Sequence, residues 1–164
     1  MKQSKTINYT VFDDPSALDA EMQQVLAEAR KASVYAYAPY SHFCVGAALL
    51  LDDGTIIHGS NQENAAYPSG LCAERVAFFA FGAQCRGRKI VKAAVIAHPE
   101  EKEELVAASP CGSCLQVMIE YEKNQASPIS FLFMGAPGRY YLLDSVAEFL
   151  PFAFGADNLL AAKD

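Results

Sequence analysis

At 164 residues the chain fits one domain of ordinary size, long enough to bury about 68–70% of the surface its unfolded form exposes. Its 52% apolar and 20% charged content excludes a disordered tail, and no run approaches the ~18 apolar residues of a membrane span. The net charge of −6 argues against a polynucleotide partner, which needs a basic face.

Lys2 and Lys5 are followed by no apolar run, so no secretory signal is read and a reducing, cytoplasmic setting is expected. The alternating stretch Thr6–Phe12 reads as an edge strand or an ordered arm, and Asp13–Ser16 as a turn leading to a helix cap. Leu18, Met22, Val25, Leu26 and Ala29 recur at helical spacing, predicting a helix from Ala17 to about Tyr37 that Pro39 stops. Phe43–Leu51 reads as a strand, Asp52–Thr55 as a hairpin turn and Ile56–Ile57 as its return, with residues 59–70 a loop. Leu71–Phe81 is apolar nearly all round and predicts a buried helix. Ile90–Ala97 follows as a strand closed by His98-Pro99, and Glu100–Glu104 is read as a solvated turn. Cys111–Lys123 predicts a helix, Ile129–Met134 a strand, Tyr140–Leu143 a short strand, and Asp144–Leu150 a final short helix. Helices alternating with strands predict an α/β fold with helices on both faces, and the hairpin makes its sheet mixed.

Five cysteines, an odd number in an expected reducing compartment, point to metal binding or catalysis rather than disulfides. Cys72 opens one predicted helix, and Pro110-Cys111-Gly112-Ser113-Cys114 opens another. Cys111 and Cys114 are three apart and share a face of the first turn. The positive end of a helix favours thiolate, and thiolates are soft ligands for zinc. Three of them leave one tetrahedral position open, the mark of a catalytic rather than a structural site. Glu74, two residues from Cys72, suits a general acid/base beside a dication that lowers the pKa of water toward ~7. Three thiolates against one Zn²⁺ leave one net negative charge, which Arg75 and the helix dipoles can offset. The competing reading is a closed four-cysteine site that recruits Cys44 or Cys85. Cys44 sits in a strand pattern and reads as a small core residue, Cys85 as a loop residue. His42, His58 and His98 have no ligand spacing and read as surface or strand-end residues.

The C-x-E…P-C-x-x-C set is the three-cysteine variant of the zinc deaminase signature. With it come Tyr40-Ser41-His42-Phe43, Val45–Ala48, Asn61–Tyr67, Ser109 and Leu150–Phe154. Over about residues 16 to 155 the chain resembles the small, homotetrameric, zinc-dependent cytidine deaminases. The resemblance implies a three-layer α/β/α sandwich around a mixed sheet of about five strands. Residues 1–15 are then an N-terminal extension of unknown role, and 16–164 a single catalytic domain. It further implies one Zn²⁺ per chain on Cys72, Cys111 and Cys114, with Glu74 moving protons to ring N3 and then to the departing amine. Asn61 and Glu63 are expected on the ribose 3′-OH, although capping of their own loop is the alternative for both. Phe43 is expected against the pyrimidine, the backbone at Ala73 and Ser109 on the base carbonyl and amine, and Phe154 in a neighbouring subunit's site. Arg75 is expected beside the thiolates and Tyr67 on the pocket wall or subunit contact. The activity implied is hydrolytic deamination of cytidine and 2′-deoxycytidine in pyrimidine salvage, the alternative being a modified nucleoside such as blasticidin S. A small nucleoside, and neither nucleic acid nor membrane, is the expected partner. One departure stands out: the residue after the second cysteine of the C-x-x-C, often arginine in such proteins, is Leu115, which leaves thiolate neutralisation to Arg75.

Overall fold

The computed structural model describes residues 1–160; the last four positions of the expected domain, 161–164, lie outside them. Six strands form one sheet: β1 Thr10–Phe12, β2 Phe43–Leu51, β3 Ile56–Ser60, β4 Ile90–Pro99, β5 Ser130–Ala136 and β6 Arg139–Leu143. The helices are α1 Ala20–Ser33, α2 Ala73–Gln84, α3 Gly112–Gln125 and α4 Ala156–Leu160. The spatial order is β1-β6-β5-β4-β2-β3. Only β4 and β5 pair in parallel, and the other neighbours are antiparallel.

The sheet separates two cores. On one face α1 lays Met22, Val25 and Ala29 over Ala48, Leu50, Ala94, Ile96 and Leu132. On the other α2 and α3 lay Phe78, Phe81, Met118 and Ile119 over Leu49, Val95, Phe131 and Phe133. Successive strand residues point to opposite faces, so β2 and β4 feed both cores and are apolar almost throughout. The three-layer α/β/α sandwich is therefore present, with six strands rather than about five. The sixth is β1, whose residues Thr10–Phe12 pair with Tyr140–Leu142 on the outer edge of β6. Tyr9 stacks on Tyr141 at 5.0 Å. No helix among the described residues is long and apolar enough to cross a membrane.

Several expected boundaries move. The first helix starts at Ala20, because Asp19 caps it by accepting the Met22 N–H at 2.9 Å. Asp14 caps a separate 3₁₀ turn, Pro15–Ala17. The helix ends at Ser33 rather than near Tyr37, so Pro39 does not stop it. Tertiary pairing overrides the helical spacing there: Tyr37 N–H donates to Asn61 O at 2.9 Å and its carbonyl accepts from Glu63 N–H at 2.9 Å. Residues 146–149 form a 3₁₀ turn rather than an α-helix.

The topology also locates a cleft. Strands β3 and β4 flank β2 and run antiparallel to it, so they run parallel to each other. The N-termini of α2 and α3 therefore follow the carboxyl ends of two co-directional strands, where ligands of open α/β sheets bind. The start of β2, at Phe43, lies between those ends.

Candidate active site

Cys72 is the residue just ahead of α2 and Cys111 the one just ahead of α3, both with extended backbone. Cys114 lies one turn into α3 and is fully buried. Helix α2 sits hard on β3: a Cβ at Gly59 would collide with the carbonyl of Ala73 and the backbone of Ala77. A residue without a side chain is thus needed beneath the first turn of α2, the turn that carries Glu74.

The three sulfurs converge. Cys72 Sγ is 3.7 Å from Cys111 Sγ, Cys111 Sγ is 3.4 Å from Cys114 Sγ, and all three lie within 4.8 Å of one another. Four ligands at ~2.3 Å in a tetrahedron put sulfur pairs ~3.8 Å apart, so the spacing fits a zinc ion with one position left open. The electrostatics agree. The Cys114 thiol, the Arg75 guanidinium and the Cys111 thiol hold Cys72 down to about 5. Cys114 is pushed up by Cys72, by burial and by the charge of Glu74. Three thiols this close can all ionise only with a cation among them, and three soft sulfur donors at this spacing fit a zinc ion. Cys44 is buried in β2 and Cys85 follows the end of α2, and neither belongs to the cluster.

Glu74 is 5% exposed, and burial pushes its carboxyl up to about 7. Arg75 donates to Cys72 Sγ at 3.8 Å, while its buried Nε has no protein partner among the described residues. Leu115 turns instead toward the core.

These groups open onto a cleft of about 770 Å³. Phe43, Asn61, Glu63, Tyr67, Arg75 and Ser109 line it together with Cys72, Cys111 and Glu74. Ala73 does not, its side chain being fully buried; as the first residue of α2 it offers a backbone N–H with no partner inside the helix. Phe154 does not enter the cleft either. It is 56% exposed beside a separate groove of about 980 Å³ between α2, α3 and α4.

Asn61 and Glu63 both hydrogen-bond backbone, but of the 40–45 segment rather than of their own loop. Asn61 Oδ1 accepts from Val45 N–H at 2.8 Å and its Nδ2 donates to Phe43 O at 2.8 Å. Glu63 Oε2 accepts the N–H groups of Tyr40 at 3.0 Å and Ser41 at 3.3 Å. Sequence reasoning missed the pair His42–Glu100, 2.7 Å apart, because Glu100 read as part of a solvated turn. His58 and His98 are satisfied away from the cleft, His58 by Glu28 at 2.7 Å and His98 by Ser33 at 3.0 Å.

Three convergent thiols and a buried carboxylate, set at two helix N-termini on one end of an α/β/α sheet, define a hydrolase site of the zinc deaminase class. The model of the cytidine and deoxycytidylate deaminase zinc-binding region matches residues 19–127, and the chain belongs to that family. It is 41% identical over 145 residues to a cytidine deaminase of Sporosarcina psychrophila, covering 88% of this chain and 98% of that one. A cytidine deaminase of Mycobacterium tuberculosis is 36% identical over 141 residues, 86% of this chain and 95% of its own. Among solved structures, cytidine deaminase from Burkholderia pseudomallei superposes with a TM-score of 0.67 at 37% identity, over 80% of this chain and 97% of that one.

Proposed function

We propose that the protein is a hydrolytic deaminase converting cytidine and 2′-deoxycytidine to uridine and 2′-deoxyuridine, with water consumed and ammonia released. The observation that carries this reading is the convergence of three thiols and one buried carboxylate at the wall of a single cleft with room for a nucleoside. Cys72, Cys111 and Cys114 would hold the zinc. When bound, zinc supplies a water nucleophile activated at neutral pH.

Glu74 takes the proton that water gives up as its oxygen bonds to C4, and delivers it to ring N3. It then takes the proton of the new C4 hydroxyl and passes it to the exocyclic amine, so that C4=O forms as C4–N breaks and ammonia leaves. Phe43 packs against the pyrimidine. The backbone N–H at Ala73 and the backbone at Ser109 meet the base carbonyl and the amine. An uncharged nucleoside offers no phosphate, so recognition falls to aromatic packing and polar contacts to the sugar. Glu63, which lines the cleft, and the second hydrogen of Asn61 Nδ2 suit the ribose 3′-OH. Tyr67 stands at the cleft wall.

The working form in this reading is a homotetramer in which Phe154 closes a neighbour's cleft, consistent with its exposure and its distance from its own. Residues 16–164 make the catalytic domain, with the 1–15 extension added at the sheet edge. The setting in this reading is cytoplasmic, in pyrimidine salvage. The test is Glu74→Gln, which keeps the shape and removes the acid/base. Zinc should be retained and ammonia release from cytidine should fall by at least ~10³-fold. Wild-type turnover in the variant would refute the mechanism.

A further inference from the structure

Phe43 stands at the end of a segment that has little regular structure of its own. The chain leaves α1 at Ser33, passes Pro39, and reverses through Tyr40-Ser41-His42 before β2 begins. His42 adopts φ of 52°, the left-handed region that residues other than glycine enter uncommonly and histidine more readily than most.

The neighbours are specific. His42 N–H donates to Ala38 O at 2.9 Å and Phe43 N–H to Ser41 Oγ at 3.1 Å. Glu100 N–H donates to His42 O at 2.8 Å. The two N–H groups at the head of the turn, Tyr40 and Ser41, both point at one oxygen, Oε2 of Glu63. Successive backbone N–H groups form a concavity for an anion, and here the anion is a side chain of the protein. Asn61, two residues earlier, grips Phe43 O and Val45 N–H from the same extended segment. Asn61 and Glu63, alternate residues of the segment that follows β3, thus hold both ends of the piece that carries Phe43.

We propose that Glu63 is a positioning residue: its carboxylate, seated on the N–H groups of Tyr40 and Ser41, fixes the turn that presents Phe43 to the pyrimidine ring, apart from any contact with the sugar. This rests on the deaminase reading above. It assigns two oxygens two tasks, Oε2 to the turn and Oε1 to the cleft. Glutamine can keep the first task, because its carbonyl oxygen accepts the same two N–H groups. Alanine cannot.

A substrate without the sugar hydroxyls separates the two tasks. Wild type, Glu63→Gln and Glu63→Ala, each brought to equal zinc content, are compared on cytidine and 2′,3′-dideoxycytidine, with amide exchange followed over residues 38–45. A ring displaced by about 1 Å can lose up to ~10²-fold in rate, so Glu63→Ala should lose at least ~10-fold in kcat/KM on the dideoxy compound. Exchange at Tyr40 and Ser41 should rise in the same variant. Glu63→Gln should restore both to near wild type while remaining impaired on cytidine. If Glu63→Ala matches wild type on the dideoxy compound and in exchange, losing only on cytidine, Glu63 acts solely through the sugar and the proposal falls. Failure of wild type on cytidine would instead remove the deaminase reading on which it rests.

Discussion

Arg75 is the residue on which the charge balance of the thiol cluster turns. A zinc ion on three thiolates retains one negative charge, and with Leu115 turned into the core the guanidinium against Cys72 Sγ is the cation placed to offset it. Arg75→Gln should therefore loosen the metal. Groups that support metal ligands typically contribute 10–100-fold in affinity, so zinc loss to a chelator should become at least ~10-fold more favourable. Unchanged zinc affinity and unchanged turnover would remove Arg75 from the account. The four central residues were legible in the sequence because their chemistry is local: two helix starts bring thiols and a carboxylate together at fixed spacing. The grip of Asn61 on Val45 and Phe43, and the seat of Glu63 on the Tyr40–Ser41 turn, were not legible, since the alternative reading kept both side chains within their own loop. They join segments 16 to 23 residues apart, and no spacing rule reaches that far. His42–Glu100 was hidden for the same reason, 58 residues separating its members.

At the scale of elements, one buried carboxylate ties the far end of α3 to the sheet. Glu122 accepts from Ile129 N–H at 2.7 Å, Val146 N–H at 3.0 Å, Ala147 N–H at 3.2 Å and Ser145 Oγ at 2.6 Å. It therefore fixes both the entry to β5 and the 3₁₀ turn Val146–Phe149. Buried donors left without a partner cost about 1–3 kcal/mol each, so Glu122→Ala should lower unfolding free energy by at least ~3 kcal/mol in urea titration. A loss within ~0.5 kcal/mol would show that the tie contributes nothing net. This residue lay inside a helix read correctly from its periodicity, yet its role was invisible, because a Glu on a helix is ordinarily solvated. The long strands and the two site helices were read within a few residues, since buried runs of apolar residues bounded by Gly, Pro and Asp leave little choice, whereas β3 runs to Ser60, into the expected loop. The end of α1 was misplaced because residues 34–38 carry no breaker before Pro39. Pairing of Tyr37 with the 61–63 segment, a tertiary event, ends the helix instead.

For the molecule as a whole, the sheet carries its chemistry at one end, where β3 and β4 deliver two helix N-termini and β2 begins. The sixth strand, β1, extends the opposite edge, and its pairing with β6 could be anticipated only as an arm or edge strand. Phe154 lies outside the cleft of its own chain, and in the proposed homotetramer it closes the cleft of a neighbour. Phe154→Ala and Glu74→Gln chains should each be inactive alone. When co-assembled, they should recover turnover, because some clefts then pair an intact Glu74 with an intact neighbouring Phe154. A mixture as inactive as its parts would contradict the shared site.

The central claim, that this fold builds a zinc site for nucleoside deamination, is tested most directly on one purified sample. Zinc content by elemental analysis is measured alongside the loss of cytidine absorbance and the release of ammonia. The account predicts about one zinc per chain, with uridine and ammonia formed in equal amounts and both lost together on chelation. Full activity in a sample stripped of zinc, or a zinc-loaded sample that leaves cytidine and 2′-deoxycytidine untouched, would contradict it.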